Sequence, residues 1–285
     1  MVTMTGHRDT GKAIMADAAR NLTRVSLELG GKAPVIVWND ADVTSAVQAT
    51  VAARHQYAGQ VCTSAERVYV HREVADRFQS EYTEAVLALR VGDPYSDVDL
   101  GPLASAAQLS KANAAVRRAV EQGAELLTGG SRPVGAAFDR GYWFAPTVLR
   151  GARETMQVMR EETFAPITPI QEISSYEEAL TRANDSRYGL GASIYTNDLQ
   201  TAMRAMNEIK AGTFWINDPL TDNDAGPFGG MRWSGIGREL GEEGLDAFRE
   251  PKHVHLDYVM ERKSYWYPYR DRAIPAADHG ASIGG

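Results

Sequence analysis

The sequence predicts an α/β fold built on a substantially parallel sheet. Two observations carry that reading: short apolar segments alternate with longer segments of helical periodicity over most of the length, and no internal repeat is present. The 285 residues suffice for one large domain or two smaller ones.

Residues 2–4 read as a strand stub, and Ile14, Met15, Ala18, Ala19 and Leu22 then mark a helix face. Residues 24–29 alternate, with Val25, Leu27 and Leu29 on one side and Ser26 and Glu28 on the other, so a carboxylate projects from the end of a half-buried strand. Residues 34–38 form a compact apolar strand. Asn39 and Asp40 offer acceptors to the next helix, whose apolar face runs through Val43, Ala46, Val47, Thr50 and Val51 and which must stop by Gly59. Residues 67–70 resume a strand. Val74, Phe78, Tyr82 and Leu89 give an amphipathic helix ended by Gly92-Asp93-Pro94, and a further helix is expected at 104–122 with Gly123 as its stop. Strands are expected at 142–149, 167–173, 191–196 and 213–217, with helices at 176–184 and 199–209. From Pro251 the pattern turns extended and aromatic, with Tyr258, Trp266 and Tyr267, and residues 273–285 read as a disordered tail. Such an arm packs on a partner or wraps the chain's own core.

The net charge of -7 argues against general affinity for nucleic acid or anionic membrane. No apolar run approaches a membrane span, and residues 1–20 lack the order of a secretory signal. One cysteine permits no internal disulfide, which fits a cytoplasmic location. The six histidines show no metal-ligand spacing, so no metal is expected.

That cysteine, Cys62, lies in Ala58-Gly59-Gln60-Val61-Cys62-Thr63, downstream of Leu27-Glu28-Leu29-Gly30-Gly31-Lys32. A lone cysteine is most often a small buried hydrophobe. Gly59, however, permits a positive φ or a close backbone approach beside the thiol, and the glycine pair leaves space beside Glu28. A thiol nucleophile and a water-activating carboxylate together suggest covalent catalysis through sulfur.

In these segments the chain resembles the NAD(P)-dependent aldehyde dehydrogenases, which carry in the same order Met4-Thr5-Gly6 with Gly11, Leu27-Glu28-Leu29-Gly30-Gly31-Lys32, Gly59-Gln60-Val61-Cys62, Glu161-Glu162-Thr163-Phe164-Ala165-Pro166, Asn184-Asp185-Ser186-Arg187-Tyr188-Gly189-Leu190, and Pro227-Phe228-Gly229-Gly230-Met231-Arg232-Trp233-Ser234-Gly235. The resemblance implies a catalytic domain with a parallel sheet, a remnant of a Rossmann-like domain and an extended C-terminal arm. Its expected divisions are 1–30 (cofactor-domain remnant), 31–235 (catalytic), 236–250 (helical return), 251–272 (oligomerisation arm) and 273–285 (tail).

The resemblance further implies that Cys62 attacks the aldehyde carbon and that Glu28 activates the water that hydrolyses the resulting thioester to an acid. The backbone N–H of Cys62 would supply one oxyanion donor. Gly6, His7, Leu29, Gly30, Glu162 and Phe164 would contact NAD or NADP, NAD being favoured, and Phe228 would wall a substrate tunnel. Its partners would be a small aldehyde and further copies of the chain through the arm, without nucleic acid or membrane. The chain departs from the family at His7, usually serine, at Tyr57, usually asparagine, and at Ala165, usually glycine. Family members also begin earlier, with most of the dinucleotide-binding domain. That feature, with His7 and Tyr57, motivates a competing expectation of a truncated, catalytically incompetent binding or assembly subunit. The stretch around Cys62, including Ala65-Glu66-Arg67-Val68-Tyr69-Val70, is similar to enzymes acting on small hydroxyaldehydes such as lactaldehyde or glycolaldehyde, whereas residues 227–235 look more like the general family.

Overall fold

A seven-stranded and a three-stranded sheet organise residues 1–249 in the computed structural model, which describes residues 1–267. Expectations for residues 268–285, including the tail, lie outside the described residues. In chain order the elements are β1 (Val2–Thr5), α1 (Arg8–Ala19), β2 (Val25–Glu28), β3 (Ala33–Val37), α2 (Val43–His55), β4 (Ala65–His71), α3 (Arg72–Leu87), α4 (Ala106–Glu121), β5 (Glu125–Thr128), β6 (Thr147–Arg150), α5 (Gln157–Arg160), β7 (Ile167–Ile173), α6 (Tyr176–Asn184), β8 (Gly191–Tyr195), α7 (Leu199–Glu208), β9 (Thr213–Ile216), β10 (Gly235–Ile236) and α8 (Gly241–Asp246).

The large sheet runs β5-β6-β7-β4-β3-β8-β9, and every neighbouring pair is parallel except β5 with β6. Parallel strands need crossover helices, and these cover both faces. Val35, Val37, Val68 and Val70 point to one side and pack with Val43, Val47 and Phe78 of α2 and α3. Ile36 and Tyr69, one residue out of phase, point to the other side with Ala112, Ala179 and Ala205 of α4, α6 and α7. The continuous apolar run of β3 and the complete burial of β8 follow from this double cover.

The small sheet has β2 in the middle, parallel to β1 and antiparallel to β10. Here the half-buried reading of residues 24–29 is corrected, because Ser26 and Glu28 are each only 3% exposed. The chain after Pro227 folds back over their face: Gly235 pairs with Glu28, and a Cβ on Gly237 would lie 2.6 Å from the Ser26 Oγ.

Other corrections are local. The N-cap of α2 is Asp42, which accepts from the Ser45 N–H at 2.7 Å, while Asp40 is engaged by Thr196 and Asn197. The strand expected at 142–149 begins only at Thr147, since Pro146 before it has no N–H for a ladder. The short edge strand β5 was not foreseen. Residues 250–267 carry no helix or strand, and Val254, Leu256, Tyr258 and Met260 there are exposed. No helix among the described residues is long and apolar enough to cross a membrane.

Candidate active site

Three loops meet at the N-terminal edge of the large sheet, because β3, β4 and β7 are parallel neighbours and each loop leads into one of them. They carry Gly30-Gly31-Lys32, Cys62-Thr63-Ser64 and Glu162-Thr163-Phe164. The glycine pair makes the meeting possible. A Cβ on Gly30 would fall 2.4 Å from the Glu162 carboxylate, and one on Gly31 would fall 2.1 Å from the Cys62 carbonyl oxygen.

The thiol loop is delivered by an abrupt turn. After α2 ends at His55, Tyr57 (φ 49), Ala58 (φ 56) and Gly59 (φ 72) are all left-handed, and a Cβ on Gly59 would strike the Ala165 backbone at 2.6 Å. Tyr57 is 73% exposed, and its carbonyl accepts from the Gln60 backbone and side-chain amides. The turn is therefore retained with tyrosine, at a conformational cost that asparagine would reduce. Tyr57→Asn is expected to raise stability by about 0.5–1 kcal/mol, read as a higher urea midpoint. A lower midpoint would mean that the ring itself supports the loop.

A cleft of about 240 Å³ opens between the two sheets' ends, lined by Thr5, Gly6, His7, Glu28, Leu29, Gly30, Cys62, Gln108, Lys111, Glu162 and Phe164. It brings together all the residues singled out in the sequence except Phe228. That residue is half-buried and pairs with Glu239 through the backbone. Its neighbour Gly229 instead touches the acid: a Cβ there would lie 2.8 Å from Glu28 Oε1. His7 caps α1, its Nδ1 accepting from the Asp9 N–H at 3.2 Å, so the imidazole substitutes for a serine cap rather than crowding the turn.

Glu28 is buried, and neither of its oxygens has a hydrogen-bond partner among the described residues. Burial, with a further push from Glu239, raises its carboxyl from 4.5 to about 7 against the opposing charge of Arg238. Glu162 accepts from the Gly31 N–H at 2.8 Å, yet burial and the charge of Glu66 still raise it to about 7. Cys62 is partly exposed. Burial and the charges of Glu162 and Glu28 push its thiol up to about 11, while the N–H groups of Cys62 and Thr63 face the sulfur and oppose that rise. The cleft thus presents a neutral thiol, two amide donors and two carboxyls that change charge near neutrality.

Behind the cleft lies a buried charge cluster that sequence reasoning missed. Lys32 Nζ is 2.5 Å from Glu66 Oε2, and Arg54 Nη1 is 3.4 Å from Glu66 Oε1. Glu66 also accepts from the Thr163 and Phe164 N–H groups at 2.8 Å each. Arg54 donates to Ser64 Oγ, Thr163 Oγ1 and the carbonyls of Ile167 and Ala165. Burial alone would raise Glu66, but Lys32 and Arg54 hold it well below the usual carboxylate range. The cluster therefore ties all three site loops to one another. Its legible signal was a charged pair, Glu66-Arg67, inside an otherwise apolar strand. Gln108 and Lys111 of α4 were missed too: Gln108 Nε2 donates to the carbonyls of Thr163 and Phe164, and Lys111 lines the cleft beside Glu162. Among the described residues no group of three or more His, Cys, Asp or Glu side chains is placed to hold a metal ion.

Comparison with known proteins fits this arrangement. Lactaldehyde dehydrogenase of Escherichia coli is 44% identical over 258 residues, covering 90% of this chain and 53% of that protein. Its crystal structure superimposes with a TM-score of 0.86 over the same shares of the two chains. Betaine aldehyde dehydrogenase of Brucella melitensis is 40% identical over 257 residues, again 90% of this chain and 53% of the relative. A Staphylococcus aureus betaine aldehyde dehydrogenase structure in complex with NAD+ has a TM-score of 0.89 at 35% identity, covering 93% of this chain and 53% of that one. The chain spans about half the length of the curated relatives it matches. Residues 1–254 match the aldehyde dehydrogenase family, and the chain belongs to that family.

Proposed function

We propose that the protein oxidises a small aldehyde to a carboxylic acid with NAD(P), through covalent intermediates on Cys62. The observation that carries this reading is the convergence of the only cysteine with an unpartnered, buried Glu28 in one cleft. The cofactor end of the cleft suits a nicotinamide ribose: Glu162 is fixed by Gly31 through one oxygen, and Gly30 and Phe164 line the space beside it. When bound, the oxidised nicotinamide would supply the acceptor for the substrate's hydride. NAD is favoured over NADP.

The chain's own residues account for the other steps. With a thiol near 11 and a carboxyl near 7, the proton must leave as sulfur bonds to the aldehyde carbon, and Glu28 can receive it. That transfer also removes one of the negative charges holding the thiol protonated. The N–H groups of Cys62 and Thr63, which face the sulfur, lie near the oxygen that gains charge. After oxidation leaves a thioester, Glu28 gives its first proton to solvent and then takes one from water as oxygen bonds to the acyl carbon; the C–S bond breaks to release acid, and the proton on Glu28 passes back to the sulfur. The likeness to lactaldehyde dehydrogenase favours a small hydroxyaldehyde as substrate. We assign residues 251–272 as an oligomerisation arm, residues 1–30 to a cofactor domain, and the protein to the cytoplasm.

An activated ester tests this reading without cofactor, because it acylates the thiol directly. p-Nitrophenyl acetate should give a burst approaching one p-nitrophenol per chain, followed by slower turnover, and Cys62→Ser should abolish both. An undiminished burst in that variant would remove Cys62 from the chemistry.

A further inference from the structure

Two motifs noted in the sequence, Asn184-Asp185-Ser186-Arg187-Tyr188 and Met231-Arg232-Trp233-Ser234, meet outside the cleft around one indole. The Arg8 guanidinium lies 4.5 Å from the Trp233 ring centroid, the Lys12 ammonium 4.9 Å and the Arg187 guanidinium 4.7 Å. No two of these cations can be more than about 10 Å apart, since all three share that ring. Tyr188 makes an edge-to-face contact with the indole, and the Trp233 backbone N–H donates to the Arg187 carbonyl at 2.9 Å, which ties the two motifs together beside the ring.

Charge balance there is incomplete. Arg8 pairs with Asp9 at 3.1 Å, and Glu161 acts on it from a distance. Among the described residues the side chains of Lys12 and Arg187 make no ion pair and are exposed, the charge of Asp9 acting on Lys12 from a distance. Attraction of each cation to the ring is opposed by repulsion among the three, so the arrangement gains most when an anion enters between them. Arg and Lys together match a phosphate, one by a planar fork and the other as a point charge. The patch also flanks the cleft: Arg8 directly follows Gly6 and His7, which line it, and Glu161 directly precedes Glu162.

We propose that Arg8, Lys12 and Arg187, gathered on Trp233, form a phosphate-binding site at the outer rim of the cleft. Its ligand is a small molecule bearing a phosphate or diphosphate. The inference stands on this cluster alone and does not require the dehydrogenase reading.

Trp233 is its own reporter. The fluorescence difference between the chain and Trp233→Phe should change saturably with inorganic pyrophosphate at low ionic strength. Lys12→Gln/Arg187→Gln should weaken binding at least tenfold, Lys12→Arg/Arg187→Lys should largely keep it, and Arg72→Gln on α3 should not alter it. If NAD competes with pyrophosphate, the occupant is the diphosphate of a dinucleotide. If both bind together, it is a separate phosphate-bearing molecule. Either result supports the site. Absence of saturable binding, or equal binding by the double glutamine variant, overturns it.

Discussion

Glu28→Gln is expected to give a chain that acylates but does not turn over, and that is more stable than the original above neutral pH. The amide cannot take a proton from water, so steady-state ester hydrolysis should fall by about a hundredfold or more, while the burst on Cys62 slows for want of its proton acceptor but keeps its amplitude. The stability gain follows from the raised carboxyl. The folded chain keeps the Glu28 proton up to about pH 7, whereas the unfolded chain releases it near 4.5. Stability therefore declines as pH rises from 4.5 through about 7, and Glu162 adds a second decline over the same interval. Glutamine removes the first and leaves the second. Unfolding free energies from urea titration should thus coincide for the two proteins near pH 4.5 and differ by about 1–2 kcal/mol near pH 8. In the original chain, deacylation should accelerate with pH and level off above about 7. Unimpaired turnover in the variant would assign the water-activating role elsewhere, with Glu162 the next residue to replace.

Arg54→Met should produce the largest loss of stability. The arginine is fully buried and donates to four separate acceptors while facing Glu66. Removing it takes a donor from the carbonyls of Ala165 and Ile167 and from the hydroxyls of Ser64 and Thr163, and leaves Glu66 with Lys32 as its remaining cation. Breaking a buried ionic cluster in this way costs about 3–5 kcal/mol, a large fraction of a domain's usual stability. Removing all the charges together, as Lys32→Met/Arg54→Met/Glu66→Gln, should recover part of that loss, because no uncompensated ion is left. The single variant should also weaken the ester burst, since Thr163 and Ser64 lose a shared anchor. A loss below about 1 kcal/mol would show that the loops are held by other contacts.

Much of the fold was legible because its signals are local. The apolar run of residues 34–38 and the helical stretches at 176–184 and 199–209 each lie within a few residues, and the elements fall where those signals put them. What escaped depends on distant partners. β10 is two residues long and exists only because Gly235-Ile236 meets Leu27-Glu28 from more than 200 positions away. The same encounter buries Ser26 and Glu28, which alternation alone assigns to the wet face. In the site, Cys62 and Glu28 stood out by residue type and neighbouring glycines. Glu162 and Phe164 were reached through family resemblance, as no spacing rule links them to residue 31 across 131 positions. Arg54 gave no sign at all: it reads as an ordinary basic residue in the last turn of a helix.

Cys62 and Glu162 precede β4 and β7, and Glu28 ends β2 just ahead of β3, so the candidate site occupies the edge where β3, β4 and β7 begin. Turns at the far edge, after β3 and β8, are joined by Asp40, Thr196 and Asn197 without touching the cleft. The scaffold is therefore divided between a constrained rim and a permissive one. Insertions or fusions at the far rim are expected to leave the cleft intact, since Asp40, Thr196 and Asn197 do not line it, which gives the architecture room to diversify its surroundings.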